Sequence, residues 1–315
     1  MSGSSLEITL PGSQLHQTVL LDRIDPSVGL VRRFEIELLA FDHLEEVSML
    51  YHDPEILIPR HVDARNTDDV LSLFYLPSIK SITATMDNPI VFAWPGENPP
   101  NPSSLTSLNL EMAREEPLRR ISSVTTNLQR LEWFWFYRED RRDQFVTNTI
   151  DFDKIFKALS PVHETLTDLT VSAAADIVRA PELPQLNLAG PFKAFRDLDK
   201  LERLEVPLPF LAGFSLSDLA GTRLEAALPK NVEWVTITDD MFLQEQYRWK
   251  DTELLECLRQ WFHDRASSTP RLQGFHLLLK EIDYEDWGPA MRKALVDLGS
   301  REGICIEVTK LAGEM

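Results

Sequence analysis

Apolar residues recur along the chain in the order apolar-x-x-apolar-x-apolar. The pattern begins at Leu105 ("LTSLNL"), Leu128 ("LQRLEW"), Leu166 ("LTDLTV"), Leu201 ("LERLEV") and Val232 ("VEWVTI"). It recurs at Ile79 ("IKSITA") and Leu272 ("LQGFHL"), with an eighth candidate at Leu44 ("LEEVSM"). Successive starts lie 23 to 40 residues apart. The last two apolar positions alternate with polar ones, the period-two mark of a short strand with one buried face. The first apolar residue turns the chain inward just ahead of that strand. One such unit cannot bury its apolar side alone, so neighbouring units are expected to stack.

Between these strands the period lengthens to that of a helix. "DFDKIFKALS" from Asp151 spaces Phe152, Ile155, Phe156 and Leu159 for one helical face. "DTELLECLRQWF" from Asp251 does so with Leu254, Leu255, Leu258 and Trp261. "DWGPAMRKALVDLGS" places Met291, Leu295 and Leu298 on one side and is expected to stop before Gly299. Two stretches break the alternation: the proline-rich run from Asp87, which predicts a loop, and an insertion from Ala173. Residues 28–44 carry both helical spacing and strand alternation and leave both readings open.

These copies resemble the leucine-rich-repeat strand signature L-x-x-L-x-L. "LFYLPSIKSI" at Leu73, "LQRLEWFWFYRED" at Leu128, "LERLEVPLPFLAGF" at Leu201 and "LPKNVEWVTITDD" at Leu228 resemble the repeat half of filamentous-fungal F-box proteins, over roughly residues 65–310. The resemblance implies an irregular α/β solenoid, or horseshoe, with parallel strands on a concave side and helices on a convex side. On that reading residues 1–65 are an N-terminal segment or cap and residues 66–315 the repeat domain, with one continuous domain as the alternative. It also implies a surface that recognises a protein partner. The chain departs from the family twice. The usual repeat carries Asn or Cys three residues after the last apolar strand position, where this chain has Asp87, Ala113, Phe136, Ala174, Pro209, Asp240 and Lys280. The segment nearest to an F-box, "DPEILIP" at Asp53, is broken by Pro59 and the polar run after it. A substrate-recognition subunit of a ubiquitin ligase, docking its adaptor through a degenerate F-box in residues 1–70, therefore stays as an alternative.

Five consecutive aromatic residues, Trp133 to Tyr137, test the register. Alternation sends Trp133, Trp135 and Tyr137 inward with Leu131, and leaves Phe134 and Phe136 outward beside Glu132. Projection of the other copies gives a largely polar face interrupted by Phe134, Phe136 and Trp234. Exposed aromatics amid polar residues suit interface anchors. The expected partner-binding set is Arg130, Glu132, Phe134, Phe136, Arg203, Glu205, Trp234 and His276. The competing expectation is that the loops from Asp87 and Ala173 cover these aromatics as extra core.

Composition narrows the chemistry. Of 315 residues, 50 are acidic and 32 basic, a net charge of −18 that argues against general nucleic-acid binding. No secretory leader is visible and no apolar run approaches membrane-spanning length. Two distant cysteines, Cys257 and Cys305, fit a reducing compartment, hence cytoplasm or nucleus. Cys257 is expected to be a buried thiol on the helix that begins at Asp251. The seven histidines show no metal-binding spacing, and no phosphate loop or nucleophile motif occurs, so no cofactor is expected. An enzyme using a loop-covered aromatic cleft, with Asp168 or Glu132 as its acid, is the remaining alternative.

Overall fold

In the computed structural model the described residues are 4–9, 17–21, 44–51, 67–86, 92–139, 142, 144, 146–176, 183–219, 223–279 and 287–310. All eight residues that open the repeated pattern, Leu44 through Leu272, are buried. In each copy a strand begins two residues later: β3 (Glu46–Tyr51), β4 (Ser81–Thr85), β5 (Ser107–Glu111), β6 (Arg130–Arg138), β8 (Asp168–Asp176), β10 (Arg203–Pro207), β11 (Trp234–Thr238) and β12 (Gly274–Leu279). A ninth, β13 (Cys305–Lys310), follows Gly303 and Ile304. These nine strands pair in parallel, each beside its predecessor in this list. The hairpin β1 (Ser4–Thr9) and β2 (Gln17–Leu21) extends the sheet beyond β3 with antiparallel pairing. A separate parallel pair joins β7 (Thr149–Asp151) and β9 (Asn187–Ala189). The molecule is thus a mixed α/β protein organised on a large parallel sheet.

Register is kept across the whole array. Val47, Ile82, Leu108, Leu131, Leu169, Leu204, Val235, Phe275 and Ile306 align as one row on the apolar face. The row two residues on holds Met49, Ala84, Leu110, Trp133, Val171, Val206, Ile237, Leu277 and Val308. One-residue slippage would put both rows in water, which is why a half-buried sheet fixes its register so firmly.

Helices from the connections cover that apolar face. They are α1 (Thr67–Leu73), α2 (Glu115–Ser122), α3 (Phe152–Leu159), α4 (Leu208–Ala212), α5 (Asp251–Ser268) and α6 (Pro289–Glu302). Leu118, Ile121, Ile155, Leu159, Leu258, Trp261 and Leu295 join the strand residues in one continuous core. Asp151 caps α3 by accepting from the Lys154 N–H at 3.1 Å. Phe156, expected on the buried side of this helix, is 39% exposed, and the smaller Ala158 takes the inward place instead. Helix α6 does not stop at Gly299 but runs on to Gly303, where φ is 68° and the left-handed cap ends it. Gly299 serves contact instead, since a Cβ there would lie 2.0 Å from Ile306 Cγ1.

The described part of the proline-rich stretch, Phe92 to Ser104, is loop, tied down by Trp94 edge-on to Phe74, Tyr75 and Phe92. The expected insertion at Ala173 begins later than its sequence suggests. Ala173, Ala174 and Ala175 remain in β8 because they pair with Trp135, Phe136 and Tyr137. The F-box-like segment from Asp53 and residues 28–43 lie outside the described residues. Among the described residues no helix is long and apolar enough to cross a membrane.

Two ladders hold successive units together at the N-terminal ends of the strands. The carbonyls of Glu45, Lys80, Thr106, Gln129, Thr167, Glu202 and Glu233 each accept two consecutive N–H groups from the next unit, at 2.7 to 3.1 Å. One turn earlier, side chains do the bridging. Ser104, Asn127, Thr165 and Asn231, each just before the first apolar residue of its unit, donate to the carbonyls of Pro77, Ser103, Thr126 and Asp199. The positions after the strands contribute less regularly. There Asp240 accepts from the Ala173 N–H at 3.0 Å.

Candidate functional site

The second face of the sheet carries the polar half of each alternation. Its first row reads Glu46, Ser81, Ser107, Arg130, Asp168, Arg203, Trp234, Gly274 and Cys305. The next reads Ser48, Thr83, Asn109, Glu132, Thr170, Glu205, Thr236, His276 and Glu307. All eight expected partner-binding residues therefore share this face. Arg130 and Glu132 are exposed, and Glu132 accepts from Asn109 Nδ2 at 2.7 Å. Arg203 is exposed and donates to Asp168 Oδ1 at 2.8 Å, which raises its pKa further, helped by the nearby carboxylates of Glu202 and Glu233. His276 stands between Thr236 and Glu307, with its Nε2 enclosed and without a hydrogen bond.

The aromatic run divides as its alternation demands. Trp133, Trp135 and Tyr137 are buried, whereas Phe134 and Phe136 are half-buried on the polar face, with ring centroids 5.7 Å apart. Strands β6 and β8 run nine residues each, whereas β5 ends at Glu111, opposite Phe134. Phe136 thus lies past the end of β5, and on β8 the partners of the two rings are the small residues Ser172 and Ala174.

Trp234 reaches the same face by a different route. Opposite it on β12 is Gly274, where an added Cβ would lie 2.3 Å from Trp234 Cζ3. The indole therefore lies across a neighbouring strand that lacks a side chain, and it is half-buried rather than projecting. Arg203 leans the other way, toward Asp168. The divergence leaves a groove of about 460 Å³ over β10, lined by Asp168, Thr170, Arg203, Glu205, Trp234 and Thr236.

Behind the aromatic strand is a polar cluster that the sequence did not advertise. Arg114 and Glu115 are 0% and 3% exposed and paired at 3.2 Å. The guanidinium donates to the carbonyls of Thr147 and Thr149 at 2.8 and 3.1 Å and stacks 4.2 Å above the Trp135 ring. Trp135 Nε1 donates to Glu115 Oε1 at 2.8 Å, and Trp133 Nε1 to the Ala113 carbonyl at 2.6 Å. The two buried tryptophans are thus fixed at both edge and face, which in turn fixes the outward angle of Phe134 and Phe136.

On the helix side a second hollow, of about 560 Å³, lies beside α5 and is lined by Leu219, Leu224, Glu256 and Cys257. Cys257 is half-buried rather than fully enclosed. Burial, and secondarily Glu256, raises its pKa, so the thiol stays protonated at neutral pH. Among the described residues no group of three His, Cys, Asp or Glu side chains is placed to hold a metal ion. No protein-family model matches the chain, and no curated protein and no solved structure matches it either.

Proposed function

We propose that this chain is a leucine-rich-repeat-like protein-binding module whose polar sheet face is the concave docking surface of an irregular solenoid. The single observation that carries the reading is the half-buried Phe134–Phe136 pair, standing on a largely polar face and held by a strand whose buried tryptophans are hydrogen-bonded. Strand-borne aromatics bordered by charged residues match the anatomy of interface anchors and rims. Arg130, Glu132, Arg203 and Glu205 would orient and discriminate the partner around them. The matched register and chain-order pairing of the nine strands support the repeat reading, as does the one-strand unit with its inward first leucine.

The test uses a partner purified to homogeneity and a Phe134→Ser/Phe136→Ser double variant. Both rings are partly exposed already, so the fold should persist by circular dichroism. Affinity should fall by a factor of about ten to one hundred, the ordinary loss for aromatic anchors. Unchanged affinity would refute the docking surface. A photo-crosslinker at Glu132, compared with one at the exposed Phe156 on α3, maps the same question independently.

A further inference from the structure

We propose that the groove between Arg203 and Trp234 is a receptor for an arginine side chain of the partner protein. The inference rests on the docking reading above and specifies what that face selects. Three observations carry it.

The first is shape. The groove owes its existence to two side chains that lean apart: Arg203 toward Asp168 on β8, and Trp234 over the bare backbone of Gly274 on β12. One wall is therefore a broad indole, while Glu205 is on the central strand. A planar guanidinium matches such a slot better than a compact ammonium does, because it stacks on aromatic faces and offers donors in its plane.

The second is local charge. Asp168 and Glu205 line the groove, and Glu202 and Glu233 act on Arg203 from the N-terminal ends of their strands. Three carboxylates thus act on one guanidinium, and a fourth, Glu205, lines the same groove. An incoming cation meets a net negative field without displacing Arg203.

The third is the charge of the face as a whole. Glu46, Glu111, Glu132, Asp168, Glu205 and Glu307 face Arg130 and Arg203 across the first three rows. The complementary surface is basic, and the groove adds the Trp234 indole to that acidic face. An acidic partner segment would meet an unfavourable potential here, and a neutral one would gain nothing from it.

Labelling the full chain with 5-fluorotryptophan makes Trp234 a direct reporter, assigned by its loss in Trp234→Phe. The probes are acetyl-Gly-Arg-Gly-amide and the same peptide with neutral citrulline. The arginine peptide should shift the Trp234 resonance saturably and leave the buried tryptophans unmoved, while the citrulline peptide should not. Glu205→Gln should weaken the response about threefold, and raising salt to about 1 M should weaken it further. Absence of a Trp234 shift, an equal shift with citrulline, or full response in Glu205→Gln would each overturn the proposal. Retention of the arginine response in the Phe134→Ser/Phe136→Ser chain is expected, so the two readings fail separately. A partner lost with the phenylalanines but indifferent to Glu205→Gln sinks only the groove. A responsive groove with dispensable phenylalanines sinks only the aromatic anchor.

Discussion

Replacing Arg114 with Met should destabilise the protein severely, and the reason is the charge that would be left behind. Met fills much of the aliphatic volume of arginine, so packing loss is small. Removal of the guanidinium strips the buried Glu115 carboxylate of its 3.2 Å partner and leaves the Thr147 and Thr149 carbonyls without that donor. Breaking one side of a buried pair costs roughly 3–5 kcal/mol, most of it the unpaired charge. With an unfolding entropy of about 2.1 cal/mol/K per residue over 315 residues, a loss of about 4 kcal/mol lowers Tm by about 6 °C. The double variant Arg114→Met/Glu115→Gln separates charge from packing. Glutamine keeps an oxygen for the Trp135 indole, now bonded to Glu115 at 2.8 Å, but leaves no stranded charge. It should recover about 2 kcal/mol relative to Arg114→Met alone. Thermal unfolding followed in parallel by circular dichroism and tryptophan emission measures both. A double variant no more stable than the single one would refute the stranded-charge account.

Gly274→Ala should push the Trp234 indole off β12, because the new Cβ would fall 2.3 Å from its ring, and tryptophan emission should shift red on exposure; unchanged emission would show that the ring tolerates a methyl group. Asn231→Ala removes a 2.7 Å bridge to the Asp199 carbonyl and should cost about 1 kcal/mol in urea unfolding, whereas a cost near zero would make the side-chain ladder incidental. Hydrogen bonding to Arg119, aided by Arg120, lowers the Glu116 pKa from 4.5 to about 2. A depressed carboxylate contributes above its unfolded pKa and loses that contribution as pH falls through the folded one. Wild type should therefore lose stability between about pH 4.5 and 2 that Glu116→Gln does not lose, by less than about 1 kcal/mol because the pair is partly solvated. Parallel acid titrations would refute this.

The strands were legible because their signal is local: an inward residue, then alternation, within six positions. The ninth strand did not show as a further copy of the pattern, since Gly303 stands where the other units have an apolar residue, and it is there to end α6 with positive φ. Phe156 misled for a related reason. Helical spacing identifies two flanks of a stripe but not which of them meets the sheet, and Ala158 won the inward place. Arg114 and Glu115 went unmarked because nothing nearby in sequence reveals the carbonyls of Thr147 and Thr149. The alternation of the aromatic strand placed Phe134 and Phe136 on the polar face. It could not place the Trp234 ring, whose posture is set by a glycine forty residues further along.

Non-locality of this kind also explains how units 23 to 40 residues apart stack in one register. What each unit shares with the next is confined to a few positions: one buried apolar residue, one doubly accepting carbonyl and the paired strand, joined before Leu105, Leu128, Leu166 and Val232 by a bridging polar side chain. The remainder of each connection need only present apolar surface to the sheet, and helices, 3₁₀ turns and the Trp94 loop all do so. An asparagine after each strand is then dispensable, because the bridging that it would supply is made at the opposite end. Asp240 excepted, residues after the strands are thereby released from that bridging duty. That end of the sheet is where β6 and β8 outgrow their neighbours and where Phe136 is displayed, so the irregularity that blurs the repeat in sequence is also what leaves room for the aromatic pair.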